Sequence, residues 1–492
     1  MKNRNNIIAI SATLLALAAG CTYEFPESIK PTSGDADFSK VVVIGSSMTA
    51  GFMNGALYDA GQQNSFVSII ANQMTSLDGG SFNQPNINAV NGCYNPAACG
   101  AAGRLYLKGV TSPAPTPKVP GDAITAYTGD KSALNNFSAY GISIQLSLAA
   151  ATSGPASSNP YYNPFFSRFA LNPSVDGVTG SSIISDASAA LANGGAFFIF
   201  WLGNDDVLGY ATNGADQADV SKPLTSVGNF TTYYGLALNA ILNANTETKG
   251  IVANIPDVTA LPYFSTVAYN PVKLSSQTQA DDLNTGYAAY NAGINAAFGG
   301  GAITAEERDR RLISFTWKNG AGQVVSNELV IVDETLTDLS GMGLPSYRES
   351  TATDLITLSA GAIIPTGGGT ATPLADKYVL LPSEKTDVQD RITAFNNVIA
   401  SAVSANSDRL ELVNVYSILG SLKANGAIIN GSALTASISP PFGGFSLDGV
   451  HPNARGNAYV ANKFIETINY KFGSTIPYCN PNSFAGNELP VP

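Results

Sequence analysis

Four short runs of consecutive apolar residues stand out along the chain, separated by longer segments with helical spacing. The runs end at Gly, Pro or polar residues, and they are KVVVIG (40–45), AFFIFWLG (196–203), GIVANIP (250–256) and LELVNV (410–415). Runs that are apolar on both faces are typical of strands buried in a parallel sheet. We therefore expect these segments to lie side by side in the interior.

Helical spacing is clearest between residues 386 and 403. Thr386 is followed three positions later by Gln389, which is the pattern of a helix N-terminus. The apolar positions that follow fall on one helical face, and they are Val388, Ile392, Phe395, Ile399 and Val403. Weaker patterns of this kind occur at 65–74, 181–192, 230–244 and 455–469. The alternation of strands and helices predicts an α/β fold, a three-layer α/β/α sandwich with a mainly parallel sheet.

Residues 266–380 interrupt this alternation. Within them, LISFTWKNGAGQVVSNELVIVD (312–333) predicts a strand pair joined by a turn at NGAG, and Gly- and Thr-rich sequence follows. We interpret 266–380 as a large insertion or lid in a core formed by 40–265 and 381–475, with a C-terminal tail over 476–492.

A second irregular stretch, NPYYNPFFSRF (159–169), combines five aromatic residues with two prolines. It fits a loop packed on the sheet edge and, equally well, an apolar wall facing a substrate.

The N-terminus has the pattern of an export signal. Lys2 and Arg4 precede an apolar segment that is too short to span a bilayer and that ends in small residues before Cys21. This predicts a signal peptide over 1–20. The ending LAAGC resembles the bacterial lipobox, which implies a lipidated Cys21, a flexible tether over 21–39 and anchoring in the cell envelope, at the outer membrane or cell surface. An ordinary signal peptide with an incidental cysteine is the alternative.

Composition narrows the range of partners. Charged residues make up 12% of the chain, about half the share usual in soluble proteins. The net charge is −11 and no basic run is present. Because binding to a phosphate backbone depends on clustered Lys and Arg, no nucleic-acid partner is expected.

The cysteines favour a disulfide over a metal site. Cys93 and Cys99 are close in sequence, so a small loop disulfide in an oxidising compartment is expected, with Cys479 unpaired or competing for one of them. The chain contains one histidine, and the cysteine spacing fits no zinc ribbon. No metal is therefore expected.

Candidate chemistry lies at the carboxyl ends of the predicted strands, where ligands of open α/β sheets bind. Ser47 stands in GSSMTAG (45–51), on a turn that would expose its hydroxyl beside backbone N–H groups. Asn204 follows AFFIFWLG, where it can donate its amide over the sheet edge or close an Asx turn. Asp205 and Asp206 are interpreted as turn and helix-N-terminal residues, not as a carboxylate pair.

The segment SLDGVHP (446–452) supplies a base. His451 is the only histidine of the chain, and Asp448, three residues earlier, can fold back to accept a hydrogen bond from its ring. A serine nucleophile needs a base with a pKa near neutrality and an acceptor that fixes the tautomer of that base. Asp448 and His451 together satisfy this requirement for Ser47.

These blocks, in this order, resemble the SGNH (GDSL-type) hydrolase superfamily, with a looser block at NFSAYG (136–141). The resemblance implies a flavodoxin-like sandwich, with Ser47 as nucleophile, His451 as base and Asp448 as the orienting acid.

The same resemblance implies an oxyanion hole formed by the backbone N–H groups of Ser47 and Gly141 and the side chain of Asn204. The sequence departs from the family at Ser46, where an aspartate is usual.

The implied activity is carboxylic ester hydrolysis through an acyl-enzyme, without a cofactor. A polar, low-charge surface and the aromatic stretch leave lipid esters and acylated glycans equally open as substrates. The alternative is a surface lipoprotein that binds a glycan or lipid on the same scaffold without turnover, and Ser46 keeps it open.

Overall fold

The computed structural model describes residues 30–77, 79–93, 99–111 and 113–491. The strands are β1 (Val41–Gly45), β2 (Leu105–Lys108), β3 (Ala114–Pro117), β4 (Asn136–Ser138), β5 (Phe197–Trp201), β6 (Lys249–Ala253), β7 (Val272–Lys273), β8 (Ser326–Asn327), β9 (Val330–Val332), β10 (Tyr347–Glu349), β11 (Leu355–Ile356), β12 (Val379–Leu380), β13 (Leu410–Val413), β14 (Ala427–Ile429) and β15 (Ser432–Leu434). The predicted signal peptide and Cys21 lie outside the described residues.

The α-helices alternate with the strands of the central sheet. They are α1 (Ser47–Ala50), α2 (Asp59–Gln63), α3 (Phe66–Met74), α4 (Pro164–Ser167), α5 (Ile183–Ala192), α6 (Asp205–Thr212), α7 (Val227–Ala244), α8 (Gln277–Gly299), α9 (Ala305–Arg311), α10 (Pro382–Ser404), α11 (Val415–Asn425) and α12 (Ala454–Phe472). Among the described residues, none of these helices has the length and apolar character needed to cross a membrane.

The central sheet has five strands in the order β13-β6-β5-β1-β4, and every pairing is parallel. The α/β class and the parallel sheet are therefore confirmed. Four of its strands come from the four apolar runs seen in the sequence. The edge strand β4 was not predicted, because three residues are too few to show a pattern.

Side chains alternate between the two faces of this sheet, and helices cover both faces. Val42, Ile44 and Phe200 point to the side covered by α5, α7 and α10. Val43, Ile199 and Trp201 point to the side covered by α3 and α12. Burying each such side chain contributes about 1.5–3 kcal/mol, so both faces need helices and the strands show no polar side.

Helix α10 begins four residues before the predicted start at Thr386. Pro382 occupies the first helical turn, and the Leu381 N–H donates to the Glu384 carboxylate at 2.8 Å. The hydroxyl of Thr386 instead donates to the Pro382 carbonyl inside the helix. Proline is favoured at this position because its missing N–H would have no helical partner.

Residues 266–380, all of them described, contribute no strand to the central sheet. The predicted strand pair over 312–333 forms only in part. A turn closes at NGAG, with an antiparallel bridge between Lys318 and Val324 and a backbone hydrogen bond from the Val325 N–H to the Trp317 carbonyl, but no longer strand pair extends from it. Its second half instead pairs elsewhere, β8 with β7 and β9 with β10.

Helix α8 in this segment was not predicted either. Its buried side chains Ala280, Tyr287 and Ile294 are seven residues apart, a spacing that places them on one helical face. This spacing of seven could have predicted the helix from the sequence, but the small and polar residues between these positions hide the apolar pattern.

The cysteines of the described part agree with the expected pairing. Cys93 and Cys99 form a disulfide with a Cα–Cα distance of 5.0 Å. Cys479 is a free thiol whose pKa is raised by burial to about 11. A thiol with so high a pKa is a poor nucleophile at neutral pH.

Candidate active site

Ser47, His451 and Asp448 form a continuous hydrogen-bonded chain. The Ser47 Oγ lies 2.9 Å from the His451 Nε2, and the His451 Nδ1 lies 2.9 Å from the Asp448 Oδ2. Both ring nitrogens therefore have a partner. When Nδ1 carries the proton and donates it to the carboxylate, Nε2 is free to accept from the serine hydroxyl. The residues named from the sequence thus have the relative geometry of a nucleophile, a base and an orienting acid.

The turn after β1 positions Ser47. Gly45 ends the strand, and Ser47 opens the short helix α1. Gly51 ends α1 at φ 82°, and a Cβ there would lie 2.7 Å from the Gln62 Cα. Only a glycine tolerates both this φ and this close contact. Glycine at position 51 therefore allows the chain to reverse its direction directly after the helix that carries Ser47.

A tight loop places Asp448 and His451 on the other side of the serine. The Ser446 N–H donates to the His451 carbonyl at 2.7 Å, closing the loop. Asn54 holds the loop to the segment after α1: its N–H donates to the Ser446 Oγ and its Oδ1 accepts from the Leu447 N–H.

Asp448 is surrounded by donors. Its Oδ1 accepts from the N–H groups of Val450 and His451, and its Oδ2 accepts from the Gly55 N–H as well as facing the imidazole. Burial opposes ionisation, but the nearby His451 ring and these hydrogen bonds outweigh it, so the pKa of Asp448 is lowered from its ordinary value. The carboxylate is therefore ionised at neutral pH and can stabilise an imidazolium.

The candidate oxyanion groups follow three neighbouring strands. Ser47 follows β1, Gly141 follows β4 and Asn204 follows β5, and β1 lies between the other two. In the register of the sheet, Gly45 is opposite both Ser138 and Trp201. The carboxyl ends of the three strands therefore coincide, and the three groups belong to the same edge.

Asn204 is buried, and neither atom of its side-chain amide has a hydrogen-bond partner in the described part of the chain. Leaving a buried polar group unpaired costs about 1–3 kcal/mol. A ligand oxygen would remove this cost for the amide N–H.

Gly141 is exposed at φ 72°, and nothing lies within 4 Å of where its Cβ would be, so its surroundings are open.

Asp205 and Asp206 occupy the first turn of α6, as the sequence predicted. Burial raises the pKa of Asp205 to about 6, against the opposing effects of the Ser46 hydroxyl and His451. Burial also raises the pKa of Asp206 to about 7. These are strongly perturbed carboxyls beside a candidate site.

An aromatic wall flanks the imidazole. The Phe52 ring lies 5.1 Å from the His451 ring, centre to centre, and stacks on Tyr140 at 4.4 Å. Phe165 packs edge-on against both Phe52 and Tyr140. Phe165 and its neighbours Phe166 and Phe169 are buried, so these phenylalanines of 159–169 belong to the packed core. Phe52 and Tyr140 were not assigned to this wall from the sequence, although Tyr140 lies in the NFSAYG block, because their contact joins segments that are remote in sequence.

The segment 266–380 reaches the loop that carries the base partly through Tyr263, which precedes the segment. The Tyr263 N–H donates to the Gly449 carbonyl of the loop, and the Tyr263 hydroxyl donates to Ser359 of the segment. Leu358 lies 3.1 Å from the position that a Cβ on Gly449 would take, and the φ of Gly449 is 72°. A larger residue at position 449 would therefore disturb both the loop and this contact.

Among the described residues, one group of acidic side chains is close enough to share a cation, and it consists of Glu334, Asp376 and Glu384. It includes no member of the Ser47, His451 and Asp448 chain. Comparison with protein-family models, curated proteins and solved structures found no match to this chain.

Proposed function

We propose that the protein is a serine carboxylic ester hydrolase of the SGNH type. In this proposal residues 266–380 are an insertion in the fold, and lipidated Cys21 anchors the protein in a bacterial cell envelope. The observation that carries the proposal is the chain of two 2.9 Å hydrogen bonds from Asp448 through His451 to Ser47. Its location at the carboxyl edge of a parallel sheet supports the same reading.

Acylation begins at Ser47. The His451 Nε2 removes the hydroxyl proton as the Oγ attacks the ester carbonyl, and Asp448 stabilises the imidazolium that forms. The Nε2 proton then passes to the alcohol oxygen as the ester C–O bond breaks. The alcohol leaves, and the acyl group remains on Ser47.

Deacylation repeats these steps with water. His451 removes a proton from a water molecule, the resulting hydroxide attacks the acyl carbon, and the Ser47 Oγ leaves with the proton returned by Nε2. In both tetrahedral intermediates the oxyanion faces the Ser47 and Gly141 N–H groups and the Asn204 amide. Donors fixed before the reaction are effective because they need no reorganisation when charge develops.

Hydrolysis of a p-nitrophenyl ester series from acetate to palmitate tests the proposal. We would use the full chain in an ester-free detergent, with Ser47→Ala as the inactive variant and Ser76→Ala, at an exposed helical turn, as the matched control. We expect activity that Ser47→Ala abolishes and Ser76→Ala retains. The chain-length profile then separates short acyl groups on glycans from lipid esters.

Folded protein that hydrolyses none of these esters would contradict generic esterase activity. It would favour the alternative, in which the unpaired Asn204 amide and the Phe52 and Tyr140 wall bind a glycan or lipid without turnover. Activity that survives Ser47→Ala would contradict the assignment of the nucleophile.

A further inference from the structure

Three carboxylates converge where the segment 266–380 meets the helices of the central sheet. Glu334 follows β9, Asp376 opens the turn before β12, and Glu384 lies in the first turn of α10. One carboxylate oxygen of each residue lies within 4.8 Å of those of the other two. Gly214, just after α6, packs against the backbone of Asp376 with no room for a Cβ. The cluster therefore borders both parts of the fold.

The cluster contains buried oxygens without a partner. Glu384 is 5% exposed and its Oε1 has no hydrogen-bond partner in the described residues, while its Oε2 accepts from the Leu381 N–H. The Asp376 Oδ1 is likewise buried and unpaired. Glu334 is exposed. A buried carboxylate oxygen directed at two further carboxylates is an unfavourable arrangement unless a cation or a proton lies between them.

The surrounding charges do not relieve this repulsion. Among the described residues, no Lys, Arg or His forms a salt bridge with any of the three, and the salt bridges of Asp333, next to Glu334, go to Arg310 and Arg348.

An ion could reach the cluster from solvent through Glu334, whose side chain is exposed. The exposed carboxylate at one end and the buried unpaired oxygen of Glu384 at the other give the cluster an entrance and a binding end.

The ligand set favours Ca²⁺ over Mg²⁺. Ca²⁺ binds carboxylate oxygens at roughly 2.3–2.6 Å and tolerates irregular ligand sets, such as three carboxylates from separate segments of the chain. Mg²⁺ requires about 2.0–2.1 Å and near-ideal octahedral geometry, and it usually keeps several waters and binds one or two carboxylates. The absence of His and Cys from the cluster excludes a nitrogen- or sulfur-rich zinc site.

We propose that Glu334, Asp376 and Glu384 form a Ca²⁺ site that joins the segment 266–380 to the start of α10. Each residue supplies at least one carboxylate oxygen, and water from the solvent at the exposed Glu334 completes the coordination sphere. The site is separate from the hydrolytic chemistry and does not depend on it.

Calcium titration of the full chain tests this proposal. The protein in detergent is dialysed against EGTA and titrated with CaCl₂ by calorimetry, and thermal unfolding is followed in parallel. We expect saturable binding with a Kd on the order of 0.1–1 mM, the range of extracellular Ca²⁺ sites, and a rise of a few degrees in the unfolding midpoint.

Glu384→Gln and Glu334→Gln are the test variants, and Asp390→Asn, exposed on the same helix, is the matched control. Glu384→Gln keeps an oxygen that can accept from the Leu381 N–H, so the helix start is preserved. Each test variant should weaken Ca²⁺ binding at least tenfold and remove the calcium-dependent rise in the midpoint, whereas Asp390→Asn should leave both unchanged. Should Glu384→Gln fail to fold, the exposed Glu334→Gln decides alone.

Two results would overturn the proposal. One is no heat and no midpoint shift up to about 10 mM Ca²⁺, above the range of weak sites, which would leave a shared proton as the explanation of the cluster. The other is binding that the Glu334 and Glu384 variants leave intact. Mg²⁺ binding as tightly as Ca²⁺ would overturn the assignment to calcium.

Discussion

The Asp206 carboxylate accepts a 2.8 Å hydrogen bond from the backbone N–H of Ile144. This bond joins the helix that follows β5 to the loop that follows β4. Asn204 lies two residues before Asp206, and Gly141 lies three residues before Ile144. The bond therefore fixes the relative position of two groups that we propose to hold the oxyanion.

Asp206→Ala removes this acceptor and should loosen the loop that carries Gly141. We expect kcat to fall by on the order of 10²-fold, as misplaced catalytic groups typically cause, with little change in KM. Asp206→Asn keeps an oxygen acceptor and should retain most of the activity. Equal losses in both variants, measured on p-nitrophenyl acetate, would show that the hydrogen bond does not position the loop.

The raised pKa of Asp206 also predicts a pH dependence of stability. The carboxyl ionises near pH 4 in the unfolded chain but near pH 7 in the fold, because burial favours its neutral form. The stability it contributes is therefore present below about pH 4 and lost as pH rises to about 7.

The side chain of Asp206→Asn cannot ionise, so this variant should gain stability relative to the wild type as pH rises from about 4 to about 7. The gain in the free energy of unfolding should reach up to about 4 kcal/mol, at 1.36 kcal/mol per pKa unit. Above pH 7 the gain should stay constant. Denaturant unfolding at pH 4, 5.5, 7 and 8.5 measures it. A difference between the two proteins that does not vary with pH would contradict the shift.

Asn204→Ala tests the unpaired amide. Loss of one oxyanion donor typically lowers kcat by on the order of 10²–10³-fold. Because the amide has no partner in the described structure, its removal should leave the free energy of unfolding unchanged or raise it. Asn406→Ala, at the opposite edge of the sheet before β13, should leave kcat unchanged. An Asn204→Ala variant with normal kcat would exclude the side chain from the oxyanion hole.

Tyr140→Ala tests the aromatic wall beside His451. The Tyr140 ring stacks on Phe52, and its loss would remove apolar contact for an acyl chain bound there. We expect kcat/KM for octanoate to fall more than kcat/KM for acetate. Tyr140→Phe keeps the ring and should keep the ratio of the two. An unchanged ratio in Tyr140→Ala would place the acyl chain elsewhere.

The sequence predicted the central sheet well because buried parallel strands need apolar residues on both faces, and β1, β5, β6 and β13 have them. It predicted the site residues for a different reason. Ser47 stands on a turn after an apolar run, and Asp448 and His451 are three residues apart, so residue type and local spacing marked each group separately.

The contacts made between distant segments could not be predicted in this way. Phe52 and Tyr140 meet only after β1 and β4 have paired, and Asp206 meets Ile144 by the same route. In the segment 266–380, the turn at NGAG forms as predicted, but the strands that follow it pair with partners remote in sequence, and local sequence does not show those partners. Helix α8 was hidden because small residues account for part of its buried face.

Ser47 and His451 are 404 positions apart in the chain, and protein synthesis proceeds from the first to the second. A chain still attached to the ribosome holds the serine without its base for nearly the whole of translation. Such a nascent chain lacks the base that we propose for ester hydrolysis. The order of the residues therefore keeps the proposed nucleophile inert until almost the entire protein has been synthesised and has folded.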